Sequence, residues 1–224
     1  MLYFDKTELY PFCPIYFDIE TAPLDEDYIR SIAPEFEAPK NYKSEEAIEK
    51  YYSEKLGEYI ASGALRAETG KVIAISVAVG DEKPQVLIDT KNEAELIKAF
   101  WDVITDNEGM ITRKIIGFNS NNFDIPFLTR RSWINGIEVP NVLYYRRSGR
   151  MFLNDFFKDV MLEWACGQQQ YISLGRLAQI LNAGEKNGDG VLFYKVVNDD
   201  YQKAYEYAKN DVVLTRECAK RLFI

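Results

Sequence analysis

The chain has 224 residues, 47% of them apolar, which is enough for one sizeable α/β domain with its own core. It has no histidine, which excludes Ser-His-Asp and Cys-His catalysis and histidine-bound zinc; its three cysteines, Cys13, Cys166 and Cys218, are too few and too scattered for a disulfide framework or a thiolate metal site. The net charge is −8, the N-terminus lacks a cationic start followed by a long apolar run, and no apolar stretch approaches about 18 residues, so a soluble cytoplasmic protein without a membrane partner is expected.

The first element is a short strand, Ile15-Tyr16-Phe17-Asp18-Ile19-Glu20, between Pro14 and a break at Thr21-Ala22-Pro23. Side chains alternate faces along a strand, so Asp18 and Glu20 point the same way, roughly 6.6 Å apart at Cα, within joint reach of one cation. Read alone, the pair also fits a solvated edge strand. Asp25 to Ile60 follows as an acidic, Tyr-rich stretch with Pro34 and Pro39, then a helix with Ser44 as N-cap and an apolar stripe of Ile48, Tyr52, Leu56 and Ile60. That is long for a connection between early strands, so residues from about 25 to 63 are expected to form a partly helical insertion in a single domain spanning 1–224.

Lys71 to Val79 and Gln85 to Asp89 read as two strands around a Gly80-Asp81 turn, which makes the early sheet a meander. Asn92 then caps a helix, with Glu95 completing a capping box and Leu96, Ile97, Phe100, Val103 and Ile104 as its apolar face. Lys114 to Phe118 is a buried strand, and its place after a helix predicts a parallel crossover. It runs into Asn119-Ser120-Asn121-Asn122-Phe123-Asp124-Ile125-Pro126, where Pro126 predicts the first turn of a helix. Asp124 thus falls near a helix N-terminus at the carboxyl end of a strand, where α/β sheets place ligands. Read alone, Asp124 fits an N-cap better than a metal ligand. The last helix runs from about Asp200 to Leu222, and Tyr207 and Asp211, four residues apart, share one of its faces.

Residues 113–158 carry eight basic side chains, Arg130, Arg131, Arg146, Arg147 and Arg150 among them, against three acidic ones. A phosphate chain would meet a locally positive stretch in an acidic protein, although a solvated charged face reads the same way.

Asp18-Ile19-Glu20, Asn119 with Phe123-Asp124, and Tyr207 with Asp211 resemble the three exonuclease motifs of the DnaQ-like (DEDD) superfamily in order, spacing and setting. Gly117-Phe118-Asn119 and Phe123-Asp124-Ile125-Pro126-Phe127-Leu128 are similar to the exonuclease domain of family B DNA polymerases. A tyrosine in place of histidine four residues before the last Asp is similar to the tyrosine (DEDDy) branch. The insertion at about 25–63 departs from the core pattern, and nothing resembling a polymerase follows Ile224, so a free-standing protein is expected.

The resemblance implies an RNase H-like α/β fold, a mixed central sheet flanked by helices, and two divalent ions, Mg²⁺ or Mn²⁺, held by Asp18, Glu20, Asp124 and Asp211. It implies a 3′-5′ exonuclease that hydrolyses single-stranded nucleic acid, DNA first, from the 3′ end to nucleoside monophosphates, with Tyr207 orienting the attacking water. Thr21 would hold the terminal 3′-hydroxyl and Leu24 would wedge against the last base. Asn119 and Phe123 are further candidates for contacting the last nucleotides, and the positive charge of residues 113–158, rather than the resemblance, makes Arg130, Arg131, Arg146, Arg147 and Arg150 candidates for the backbone upstream. A separate polymerase or repair protein is a candidate partner. Two alternatives stay open: an exoribonuclease, and a catalytically silent binding module, against which the four intact acids speak.

Overall fold

The alternation that begins at Ile15 carries on through the expected break: strand β1 spans Ile15–Pro23, nine residues, and Pro23, which lacks the N–H for a further ladder bond, ends it. The structure, a computed structural model, describes residues 2–4, 13–106, 108–140, 143, 156–188, 193–222 and 224. The chain divides into two compact units, Met1–Glu20 with Val72–Ile224, and Thr21–Lys71.

In the second unit, Asp25 caps helix α1 (Glu26–Ser31) through the N–H groups of Asp27 and Tyr28. Ser44 caps α2 (Glu45–Ala61), its hydroxyl accepting from Ala47 at 3.2 Å. The stripe on α2 is only partly covered: Ile48, Leu56 and Ile60 are half-buried and Tyr52 is exposed. The end of α2 is fastened by Arg66, which lies over the Tyr59 ring at 3.9 Å and donates to the Tyr59 carbonyl and, at 3.0 Å, to Ser62.

The first unit is built on a five-stranded sheet in the order β3-β2-β1-β4-β5, with β2 at Gly70–Val79, β3 at Gln85–Ile88, β4 at Ile115–Gly117 and β5 at Phe157–Asp159. β2 and β3 pair antiparallel, whereas β4 runs parallel to both β1 and β5, as its position after a helix predicts. Asn92 stands at the N-cap of helix α3 (Glu93–Ile104) as expected, but its side chain makes no cap bond; Oδ1 of Asp89 accepts from Lys91 and Asn92 as the chain turns into the helix.

The sheet is covered on both faces because β1 alternates. Phe17 turns to α3, its ring 4.9 Å from Phe100, beside the fully buried Leu96 and Ile97. Tyr16 turns the other way, into a core with Val160 from α5 (Val160–Ala165), Leu174 and Leu177 from α6 (Leu174–Ile180), and Val212, Cys218 and Ala219 from α8 (Tyr201–Leu222). Between these lie α4 (Asp124–Ile134) and α7 (Phe193–Asp199). Burying a side chain such as Phe17 is worth on the order of 3 kcal/mol over leaving it in water. The same alternation puts Asp18 and Glu20 on Tyr16's side, facing α8. Among the described residues, no helix is long and apolar enough to cross a membrane.

Candidate active site

Helix α8 buries a stripe of Ala204, Tyr207, Ala208, Asp211, Val212, Thr215 and Ala219 at spacings of three and four. Its lower half is ordinary core, and its upper half presents Tyr207 and Asp211 to the carboxylates of β1. There, one ligand atom each from Asp18, Glu20 and Asp211 lie within 4.8 Å of one another. Asp124 is not among these three. It opens α4, 4% exposed, and its Oδ1 accepts the N–H of Ile19 at 3.2 Å, which sets it beside Asp18.

Such crowding is costly for anions. Burial first, then the charges of Asp124, Glu20 and Asp211, push the Asp18 carboxyl well above the usual range. Burial first, then Asp211, push Glu20 well up too, with Lys186 opposing. Asp124 rises to about 7, mainly through burial, against the pull of the Ile19 N–H. Oδ1 of Asp211 is buried and accepts no hydrogen bond. Buried carboxylates in excess of cations, with an acceptor oxygen left unpartnered among them, fit a hard divalent cation such as Mg²⁺ or Mn²⁺.

Tyr207 is packed rather than pendant. Its ring lies 6.0 Å from that of Phe193, and a Cβ at Gly188 would come within 2.7 Å of it, so only glycine fits beside it. Burial first, then the charge of Asp211, raise its hydroxyl further above its ordinary value. The phenol is therefore protonated at neutral pH.

The remaining predicted residues are held by local contacts of their own. Thr21, half-buried in the second unit, donates its hydroxyl to the Ala64 carbonyl at 2.8 Å, and Leu24 donates its N–H to Thr69 at 2.8 Å. Asn119 adopts φ 57° and accepts from the Asn122 side chain at 3.1 Å; Phe123 is half-buried with its ring 5.4 Å from Phe127. Arg130 is exposed. Arg131 is a correction: it is 6% exposed and donates to both oxygens of Glu93, from Nη2 at 2.6 Å, so its guanidinium serves a buried ion pair rather than a phosphate chain. Arg146, Arg147 and Arg150 lie outside the described residues.

Two residues that no sequence pattern marks belong here. Lys186 reaches in from a coil, its Nζ 2.8 Å from Oδ2 of Asp211 and 5.2 Å from the centre of the Tyr207 ring. The coil is laced to α8: Asn187 donates to Asn210 and Glu206, and Asn210 donates back to Glu185. Asp159, at the end of β5, is 2% exposed and accepts four backbone N–H groups, two of them from the turn before Asp124.

No curated protein matches the chain. Among solved structures, it is similar to the family B DNA polymerase of the hyperthermophilic archaeon Pyrobaculum calidifontis, with a TM-score of 0.59 and 17% identity over 98% of this chain. That match covers 25% of the polymerase, so the chain spans about a quarter of its length, and the likeness is one of fold, RNase H-like as in the DnaQ-like exonucleases. It also aligns with Pop2p of S. pombe in its Mg²⁺ and Mn²⁺ bound form, with a TM-score of 0.40 and 14% identity over 87% of this chain and 85% of that one. A family model described as a predicted 3′-5′ exonuclease related to the exonuclease domain of PolB matches residues 62–216, a stretch that contains Asp124, Lys186, Tyr207 and Asp211 and begins after Glu20. With well over half of the chain matched, it belongs to the family of predicted 3′-5′ exonucleases related to the exonuclease domain of PolB.

Proposed function

We propose that the chain is a metal-dependent 3′-5′ exonuclease that removes nucleoside monophosphates from the 3′ end of single-stranded DNA, its two units together making one exonuclease domain with an insertion. The observation that carries this reading is the cluster of Asp18, Glu20 and Asp211, with Oδ1 of Asp211 buried and unpartnered. These three would hold one divalent ion, and Asp18 with Asp124 a second. Ions bound there supply a water of lowered pKa and positive charge at the leaving 3′ oxygen. The chain's own groups do the rest. Protonated Tyr207 positions the attacking water by its hydroxyl, and Lys186 holds Asp211 in place.

Thr21 and Leu24 follow Asp18 by three and six residues, and the reading gives them the terminal hydroxyl and the last base. The Thr21 hydroxyl already spends its proton on Ala64, so it would act as an acceptor toward that 3′-OH. Phe123 and Asn119 flank the last nucleotides, and Arg130 meets the backbone. Labelled single-stranded DNA and RNA, each with a 3′-hydroxyl or a blocked 3′ end, are incubated with Mn²⁺ or EDTA. The reading expects mononucleotides from unblocked DNA with Mn²⁺ only. Equal degradation of blocked strands, or turnover in EDTA, overturns it, and turnover confined to RNA transfers the activity to an exoribonuclease.

A further inference from the structure

We propose that Asp159 is the positioning residue for Asp124, holding in register the turn that delivers this acid to the site; the inference rests on the metal-binding reading above. Asp159 ends β5, next to the end of β4, and its carboxylate has no ion-pair partner among the described residues. It is satisfied by four backbone N–H groups instead. Two are local: Met161 at 3.0 Å and Leu162 at 3.3 Å give their N–H to Oδ1, which caps α5. Serine, threonine or asparagine would cap a helix as well.

The other two donors are what a cap does not explain. Asn119 donates to Oδ1 at 2.9 Å and Asn121 to Oδ2 at 2.9 Å, from 40 and 38 residues away. Oδ1 takes Asn119 together with the two cap donors and Oδ2 takes Asn121, so all four N–H groups are met only where both oxygens accept, and the position calls for a carboxylate and not merely a capping residue. Asparagine would turn an N–H₂ toward one of these N–H donors.

The turn so held is under constraint. Asn119 sits at φ 57°, in the left-handed region, and Gly117 has no room for a side chain, because a Cβ there would collide with Ser120, folded back over the strand end. The turn then closes on itself, with Phe123 donating to Asn119 at 3.0 Å and Ile125 to Ser120 at 2.9 Å, and leads directly into Asp124. Asp124 must meet the Ile19 N–H and stand beside Asp18. A shift of the turn by the length of one hydrogen bond would move it out of that register, and positioning errors of this size cost activity heavily.

Asp159→Ser keeps the cap but is too short to hold both Asn119 and Asn121. In the metal-free full chain, amide hydrogen exchange at Asn119 and Asn121 should accelerate at least tenfold while Leu162 stays protected. In Mn²⁺ titrations, Asp159→Ser should weaken binding on the order of tenfold in the parent background and leave it unchanged where Asp124→Asn is already present. Asp159→Asn, which keeps one oxygen, should fall between the two. Unchanged exchange at Asn119 and Asn121, or equal weakening of Mn²⁺ binding in both backgrounds, overturns the proposal. A parent that binds no Mn²⁺ while its exchange pattern responds as described overturns the metal reading, and with it the delivery of Asp124 to a metal.

Discussion

Lys186 Nζ lies 2.8 Å from Oδ2 of Asp211, while Oδ1 of the same carboxylate is buried with no partner, so one oxygen is occupied by the protein's own cation and the other is left for a ligand. Without Lys186 the carboxylates lose the cation that opposes their mutual repulsion. Lys186→Met should therefore lower the metal-free melting temperature by about 5 °C. Saturating Mn²⁺ should raise it by more than in the parent, because the ion then replaces the missing charge. Unchanged melting in EDTA would show that the lysine is a passive neighbour.

The raised carboxyls predict an inverted pH dependence for the metal-free protein. A carboxyl that holds its proton more tightly in the folded chain contributes stability in full below its unfolded value and loses it as pH rises through the folded one. For Asp124 that window runs from 3.8 to about 7, and Asp18 and Glu20 act in the same direction. Melting in EDTA should fall on the order of 5 °C between pH 5.5 and pH 8. With saturating Mn²⁺ the fall should vanish, because metal binds the ionised carboxylates. Stability in EDTA that climbs over this range would contradict the electrostatics.

Adjacent arginines should behave oppositely. Arg131→Ala strands the buried Glu93, which also accepts from Val72 and Asn135, and should cost about 3 kcal/mol of stability without changing the salt dependence of substrate binding. Arg130→Ala, on the exposed side of the helix, should leave melting unchanged, raise KM and flatten its salt dependence by about one phosphate contact. A flattened slope in the Arg131 variant with no loss of stability would reverse the assignment.

Local periodicity made much of the fold and the carboxylate cluster legible in the sequence. The alternation in β1 put Asp18 and Glu20 on one face, and the i, i+4 spacing on α8 put Tyr207 with Asp211. Pro126 marked the first turn of α4 correctly. Arg131 had a signal that charge obscured: Phe127, Leu128 and Arg131 recur at helical spacing and mark a buried face. Lys186 and Asp159 had none. Lys186 sits in an aperiodic coil, and Asp159 acts on residues about 40 positions away, so only tertiary packing brings either to its partners.

Tyr207→Phe keeps the ring against Gly188 and Phe193 and removes only the hydroxyl. It should reduce kcat by a factor on the order of 10² with KM and Mn²⁺ affinity nearly unchanged. Tyr205, half-buried on the same helix, is the control. Equal, small effects in the two Phe variants would remove Tyr207 from the chemistry.

The most direct measurement pairs turnover with metal-free melting in Asp18→Ala. Asp18 faces Glu20 and Asp211 within 4.8 Å and stands beside Asp124, so deleting it both empties a shared ligand position and relieves repulsion. The account predicts no release of mononucleotides with Mn²⁺, lost Mn²⁺ binding, and a higher melting temperature than the parent in EDTA. Parental turnover, or a lower melting temperature in EDTA, would contradict it.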